Sequence, residues 1–152
     1  MYCSCMKSLN VKPETEALVL DFLETATALE RSLDRALSYT KGVSFSEYRL
    51  LKTLYELNAG GLPRIDLANA VGLPASAVTR ALKPLEKIGL VTSKRSERDA
   101  RQSLVAITPG GRVLLEEARA ILLDALRGLA ANTLSVQKNS EFRARLNEMK
   151  AI

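Results

Sequence analysis

Apolar residues recur along this chain mostly at helical spacing, with one interval past the middle where they shorten into two runs of β-type residues. From Pro13 to Lys41 a stripe of Leu18, Phe22, Ala26, Leu29, Leu33 and Leu37 advances by threes and fours. Acids occupy the first turn and Lys41-Gly42 closes the segment, so a long helix is predicted. Its first half also carries Val19, Leu20 and Leu23 off the stripe. A single packing partner would leave those side chains in water, which implies a second one.

The next segment opens on a start signal. Ser44 and Glu47 make an S-x-x-E capping box, and Val43 and Tyr48 are spaced for a hydrophobic staple. A second helix follows, with Tyr48, Leu51, Leu54, Tyr55 and Leu57 expected on its core face and Gly60-Gly61 at its end. Between Pro63 and Leu90 come a short helix carrying Ile65, Leu67, Ala68 and Val71, a turn at Gly72, and another helix over 74–88. That last helix faces Val78, Leu82 and Leu85 inward and Ser76, Thr79, Arg80 and Lys83 outward, with Lys87 a turn further on. Two helices joined by a tight glycine turn, the second polar and basic on its outer side, predict a helix-turn-helix. Pro84 removes one backbone hydrogen bond and is expected to bend the helix near Arg80.

LVTSK and QSLVAIT then predict a hairpin, a wing over 92–106, whose tip is SERDARQ, residues 96 to 102. Thr108-Pro109 is a cap followed by proline at the first helical position. The helix it starts is apolar on most faces, through Val113, Leu114, Leu115, Ala118, Ile121, Leu122, Ala125, Leu126 and Leu129, and like the first it asks for more than one neighbour. A final helix places Phe142, Leu146 and Met149 at i, i+4 and i+7. The fold class expected is mainly α with a small β-hairpin, a winged helix-turn-helix. With no repeat and no linker, 1–152 reads as a single domain.

Charge adds direction to this outline. Lysine and arginine number 22 against 17 acids, for a net charge of +5. The excess is local: from Pro74 to Arg101 seven basic residues face three acids, whereas from Glu14 to Leu37 six acids face two arginines. Ordinary variation of surface charge would account for part of this. The basic stretch nevertheless coincides with the helix-turn-helix and wing, where phosphates would be neutralised.

Absences narrow the function. The 152 residues include no histidine, which removes His-based acid/base and nucleophile systems and mixed-His zinc sites, and no GxxxxGK[ST] or GxGxxG loop is present. An enzyme is not expected, nor a cofactor or a bound metal. The longest apolar runs, ALVLDFL and ILLDALRGLAA, fall well short of the roughly 18 to 20 residues that span a bilayer. MYCSCMKSLN has no apolar run behind its lysine to act as a signal peptide, so a cytoplasmic protein is expected. Cys3 and Cys5 stand too close in sequence for an unstrained disulfide with each other. Two readings fit them: incidental tail thiols, or a redox pair formed across two subunits.

An arginine on a hairpin tip loses entropy when held in one pose, and a neighbouring carboxylate can pin its guanidinium and leave the outer edge free. Asp99 is placed to hold Arg101 or Arg98 in this way, as a probe for a narrow minor groove. An isolated SERDAR would read as a plain charged turn. Behind a helix-turn-helix it reads as the tip of a wing.

GLPASAVTRALKPLEKIGLVTSKRSERDARQSLVAITPGG resembles the recognition helix and wing of the MarR family of bacterial transcriptional regulators, including its Asp-x-Arg pair, Asp99 and Arg101, and the threonine-led helix after the wing. The resemblance implies a homodimer whose N- and C-terminal helices, 13–41 and 109–152, interlock around a DNA-binding lobe, 44–108. It also implies double-stranded DNA with a pseudo-palindromic operator as partner. Members often act as repressors and often release DNA on binding a small phenolic or aromatic ligand. Carried over residue by residue, Ser76, Thr79, Arg80 and Lys83 face the major groove, with Arg80 on a guanine. Asp99 and Arg101 form the wing pair, and Lys94, Arg95 and Arg98 meet phosphates. Many members carry arginine where this chain has Ser93, which moves that phosphate role to Lys94. The peroxide-sensing branch keeps its cysteine in the first helix, where this chain has none, and metal-sensing members use histidine. The alternative from another class is a winged-helix module whose basic face docks an acidic protein without sequence preference on DNA.

Overall fold

The computed structural model describes residues 13–57, 60–95, 103–133 and 136–150, with side chains up to Arg127 and from 140 to 149 in the last two helices. Cys3, Cys5, the tip residues 96–102 and the Leu129 side chain lie outside the described residues. Two compact units divide the chain, residues 1–32 and 33–152.

In the first unit the described residues, 13–32, belong to helix α1 (Pro13–Lys41). Pro13 and Glu14 start it as the sequence predicts, with acids toward the positive end of the helix dipole. Leu18, Val19, Leu20 and Leu23 are exposed, Leu18 at 68%. Val19, Leu20 and Leu23 are the apolar surplus the spacing implied, and Leu18, expected on the stripe, is exposed with them because the structure buries the stripe only from Leu33 onward.

The second unit begins with the buried Leu33 and Leu37. Asp34 then accepts a hydrogen bond from the Phe45 backbone N–H at 2.7 Å, joining the end of α1 to the start of α2 (Phe45–Glu56). The capping box is complete: the Glu47 N–H donates to Ser44 Oγ at 3.1 Å, and the Ser44 N–H donates to Glu47 Oε2 at 2.7 Å. Val43 and Tyr48 are both buried, as a staple requires. The expected core face needs correction. Tyr55 and Leu57 are 41% and 48% exposed, whereas Leu50 is fully buried. The reason is that α2 packs against α3, α4 and α5 at once, so its apolar surface is wider than one stripe. Tyr55 instead lies under the Arg112 guanidinium, 6.0 Å from its ring centroid.

A two-residue strand β1 (Leu62–Pro63) leads into α3 (Arg64–Val71), α4 (Ala75–Lys87) and the strands β2 (Val91–Arg95) and β3 (Ser103–Ile107). Leu67, Ala68 and Val71 are buried as expected, but Ile65 is exposed. The sheet is antiparallel with order β1-β3-β2, one strand more than the predicted hairpin. Pro63 pairs with Leu104 at its edge, a place where a residue without an N–H is tolerated.

Helix α5 (Pro109–Thr133) begins at the predicted cap. The Thr108 hydroxyl accepts from the Gly111 N–H at 3.0 Å and reaches the Gly89 carbonyl at 2.7 Å, while the Thr108 N–H donates to the Leu90 carbonyl at 3.0 Å. Gly111 is buried in this junction. A Cβ there would lie 2.7 Å from Ile107 Cγ1 and closer still to the Leu90 carbonyl oxygen. Further along, Leu115, Ala118 and Leu122 are buried while Val113 and Leu123 are exposed. Helix α6 (Val136–Lys150) leaves Phe142 and Met149 exposed. No helix among the described residues is long and apolar enough to cross a membrane.

Gly111→Ala should therefore destabilise the protein by about 1–3 kcal/mol through overpacking, measured as a lower urea midpoint at unchanged slope. An unshifted midpoint would mean that the junction relaxes freely.

Candidate nucleic-acid interface

The chain stops α3 and α4 by the same device. Gly72 is left-handed at φ 68°, with its N–H on the Asn69 carbonyl and the Leu73 N–H on the Ala68 carbonyl. Gly89 repeats this at φ 75°, with bonds to Glu86 and from Leu90 to Leu85. In both places only glycine meets the backbone demand without strain. The first turn aims α4 and the second aims β2.

Val78, Leu82 and Leu85 are almost wholly removed from solvent, so the opposite face of α4 must point outward. Ser76, Arg80, Lys83 and Lys87 are exposed there. Thr79, expected with them, is half-buried, and its hydroxyl donates to the Ala75 carbonyl at 2.9 Å. With its proton committed inside the helix, Thr79 can accept a hydrogen bond from a base or offer its methyl. Helix α4 continues through Pro84 to Lys87, and the Ile88 N–H still reaches the Pro84 carbonyl at 3.1 Å. The bond that proline removes belongs to the Arg80 carbonyl, at a residue exposed like Pro84 itself, where water can replace it.

In the wing, β2 pairs with β3 from Val91↔Ile107 to Arg95↔Ser103. Val91 is buried, and Ser93, Lys94 and Arg95 are exposed. Arg98, Asp99 and Arg101 fall between Arg95 and Ser103 in sequence and lie outside the described residues. Sequence reasoning missed Arg64. From α3 it donates through Nη2 to Glu86 Oε1 at 3.0 Å on α4 and to Ser93 Oγ at 3.1 Å on β2. The Ser93 hydroxyl in turn donates to Glu86 Oε1. A guanidinium thus stands beside Ser93 after all, supplied from another element.

A cavity of about 520 Å³ opens on the other side of α2, within the same unit. Phe45, Tyr48, Leu122 and Leu126 form its apolar wall, and Arg49, Lys52 and Arg119 stand against Glu56 at its polar one. The Arg49 guanidinium is tied to the Val71 carbonyl at 2.6 Å, and Lys52 is paired with Glu56 at 2.6 Å. The rings of Phe45 and Tyr48 stack with centroids 6.2 Å apart, and burial pushes the Tyr48 hydroxyl above its ordinary pKa. Among the described residues no group of histidine, cysteine or carboxylate side chains could hold a metal ion.

Comparison with known proteins covers the same elements. Residues 43–103 match the model of the MarR family. Over 78 residues the chain is 38% identical to the uncharacterized HTH-type transcriptional regulator YdgJ of Bacillus subtilis (strain 168), covering 51% of this chain and 46% of that protein. The chain spans about half the length of the curated relatives it matches. Among solved structures it is similar to Sco3205, a MarR family transcriptional regulator from Streptomyces coelicolor in complex with DNA. The identity is 25% and the TM-score 0.83, over 92% of this chain and 88% of that one. It is also similar to the transcriptional regulator BldR from Sulfolobus solfataricus, at 25% identity and a TM-score of 0.78, over 91% and 99% of the two chains.

Proposed function

We propose that this chain is a member of the MarR family, whose model matches its winged-helix segment, residues 43–103, and that it is a dimeric, sequence-specific DNA-binding transcriptional regulator, a repressor relieved by a small aromatic or phenolic ligand. The observation that carries the reading is the polar, basic outer face of α4 beside a basic wing strand, both backed by a buried core. Ser76, Thr79, Arg80 and Lys83 enter the major groove, with Arg80 bidentate on a guanine. Lys94, Arg95 and Arg98 neutralise phosphates, and Asp99 orients Arg101 for the minor groove. The DNA-bound Streptomyces relative supports DNA over an acidic protein as the partner of this face. Such a regulator works in the cytoplasm.

The organisation we infer has helices 13–41 and 109–152 joining two copies and 44–108 forming the lobe that reads DNA. Exposed Leu18, Leu20, Leu23, Phe142 and Met149 support this, because a chain alone would leave them in water. The cavity suits the ligand: an apolar aromatic wall takes a ring, and Arg119 and its neighbours take an acidic substituent.

Selection from a random double-stranded pool should recover an inverted repeat with half-sites about 34 Å apart and a steep salt dependence. Arg80→Ala should cost about 1–3 kcal/mol and relax one base position, and Arg101→Ala should also weaken binding. Recovery of no motif would defeat the reading. Two copies should become one by sedimentation in Leu20→Glu/Leu23→Glu; a variant that still sediments as a dimer would remove α1 from the interface. A phenolic acid such as salicylate should displace operator from the wild type but not from Arg119→Ala, and equal displacement of both would place the ligand elsewhere.

A further inference from the structure

We propose that Arg64, Glu86 and Ser93 form a clasp that sets the base of the wing against the recognition helix, making Arg64 a positioning residue for DNA binding; the proposal rests on the DNA-binding reading above. Three elements meet in it. Arg64 is the first residue of α3, Glu86 lies in the last turn of α4, and Ser93 is the middle residue of β2. The three side chains close a ring in which Ser93 accepts from Arg64 Nη2 and donates to the carboxylate oxygen that Arg64 also holds. Each member is thereby constrained by the other two.

The ring is better protected than a surface ion pair, with the Arg64 and Glu86 side chains 31% and 29% exposed. Arg64 Nε is buried and has no partner among the described residues. A guanidinium desolvated to that degree depends on its remaining charge-assisted bonds, so removing a partner costs more than removing a surface contact. The turn around Gly89 and the buried Val91 hold the base of β2, and the clasp adds a side-chain tie two residues further out, at Ser93, where the strand becomes exposed. Lys94 and Arg95 follow Ser93 directly, so holding Ser93 fixes where the wing's first cations stand relative to Arg80 and Lys83. Glu86 is also an acid within a basic face. Paired with Arg64 it does not oppose phosphates; unpaired it would.

The test uses the full chain and its selected operator, with affinity and salt dependence measured well below each variant's melting temperature. Glu86→Gln is the sharpest variant. Removing a negative charge near phosphates should by charge alone tighten binding, whereas loss of the clasp should weaken it about tenfold. Arg64→Gln and Ser93→Ala should weaken it similarly, with the wild-type salt slope. Arg64→Gln/Glu86→Gln should be no worse than the weaker single variant. Arg64→Lys should recover part of the loss. Ser93→Ala removes one exposed hydroxyl and keeps the test open if a charge variant folds poorly. Wild-type affinity in Ser93→Ala and Glu86→Gln would overturn the proposal. So would a salt slope reduced by about one in Arg64→Gln, the mark of a direct phosphate contact. A wild type that selects no operator defeats the DNA reading and this proposal together, whereas unchanged variants of a protein that does select one defeat this proposal alone.

Discussion

Burial of Val78, Leu82 and Leu85 is the constraint from which the rest of the interface follows. Each contributes about 1.5–3 kcal/mol by leaving water, and together they allow α4 one rotation about its own axis. Once that rotation is set, helical geometry alone decides that Arg80 and Lys83 face outward. Polar residues on that face need no partner inside the protein. They are free for one outside it.

Much of this was legible from spacing. The capping box at Ser44, the cap at Thr108 and the inward face of α4 were readable because each is a local pattern whose partners lie within a few residues. Tyr55, Leu57 and Ile65 were misplaced for the opposite reason. Whether an apolar side chain is covered depends on which helices arrive from elsewhere, and the neighbours of α2 lie on more than one side. Arg64 was invisible for the same cause. Its partners are 22 and 29 residues away, and it falls outside the stretch whose charge stood out. The wing tip, the most specific part of the sequence resemblance, lies outside the described residues, so its role still rests on the pattern Asp99-x-Arg101.

Polar groups in this fold do their work at junctions. Asp34 joins the end of α1 to the start of α2, Arg49 holds the last carbonyl of α3, and Arg64 links α3, α4 and β2. Between these points the elements are held by leucine and valine, which fix distance but discriminate weakly among angles. A charge-assisted bond at the end of a helix supplies that missing direction. In the wing the same division holds within two strands: Val91, Val105 and Ile107 enter the core, while Lys94 and Arg95 stay exposed.

The contact of Gly111 with the Leu90 carbonyl gives α5 a mechanical role. With no side chain between them, the start of the helix seats directly on the base of the hairpin, and the Thr108 N–H ties the two through the Leu90 carbonyl. Helix α5 has 25 residues and is therefore about 37 Å long. A lateral shift of about 1 Å at its far end, with the near end as fulcrum, turns it by between about one and two degrees, and the strands fastened at Thr108 must turn with it. Helix α5 has in this sense the geometry of a tiller: a grip on its far end would be felt at the base of the wing.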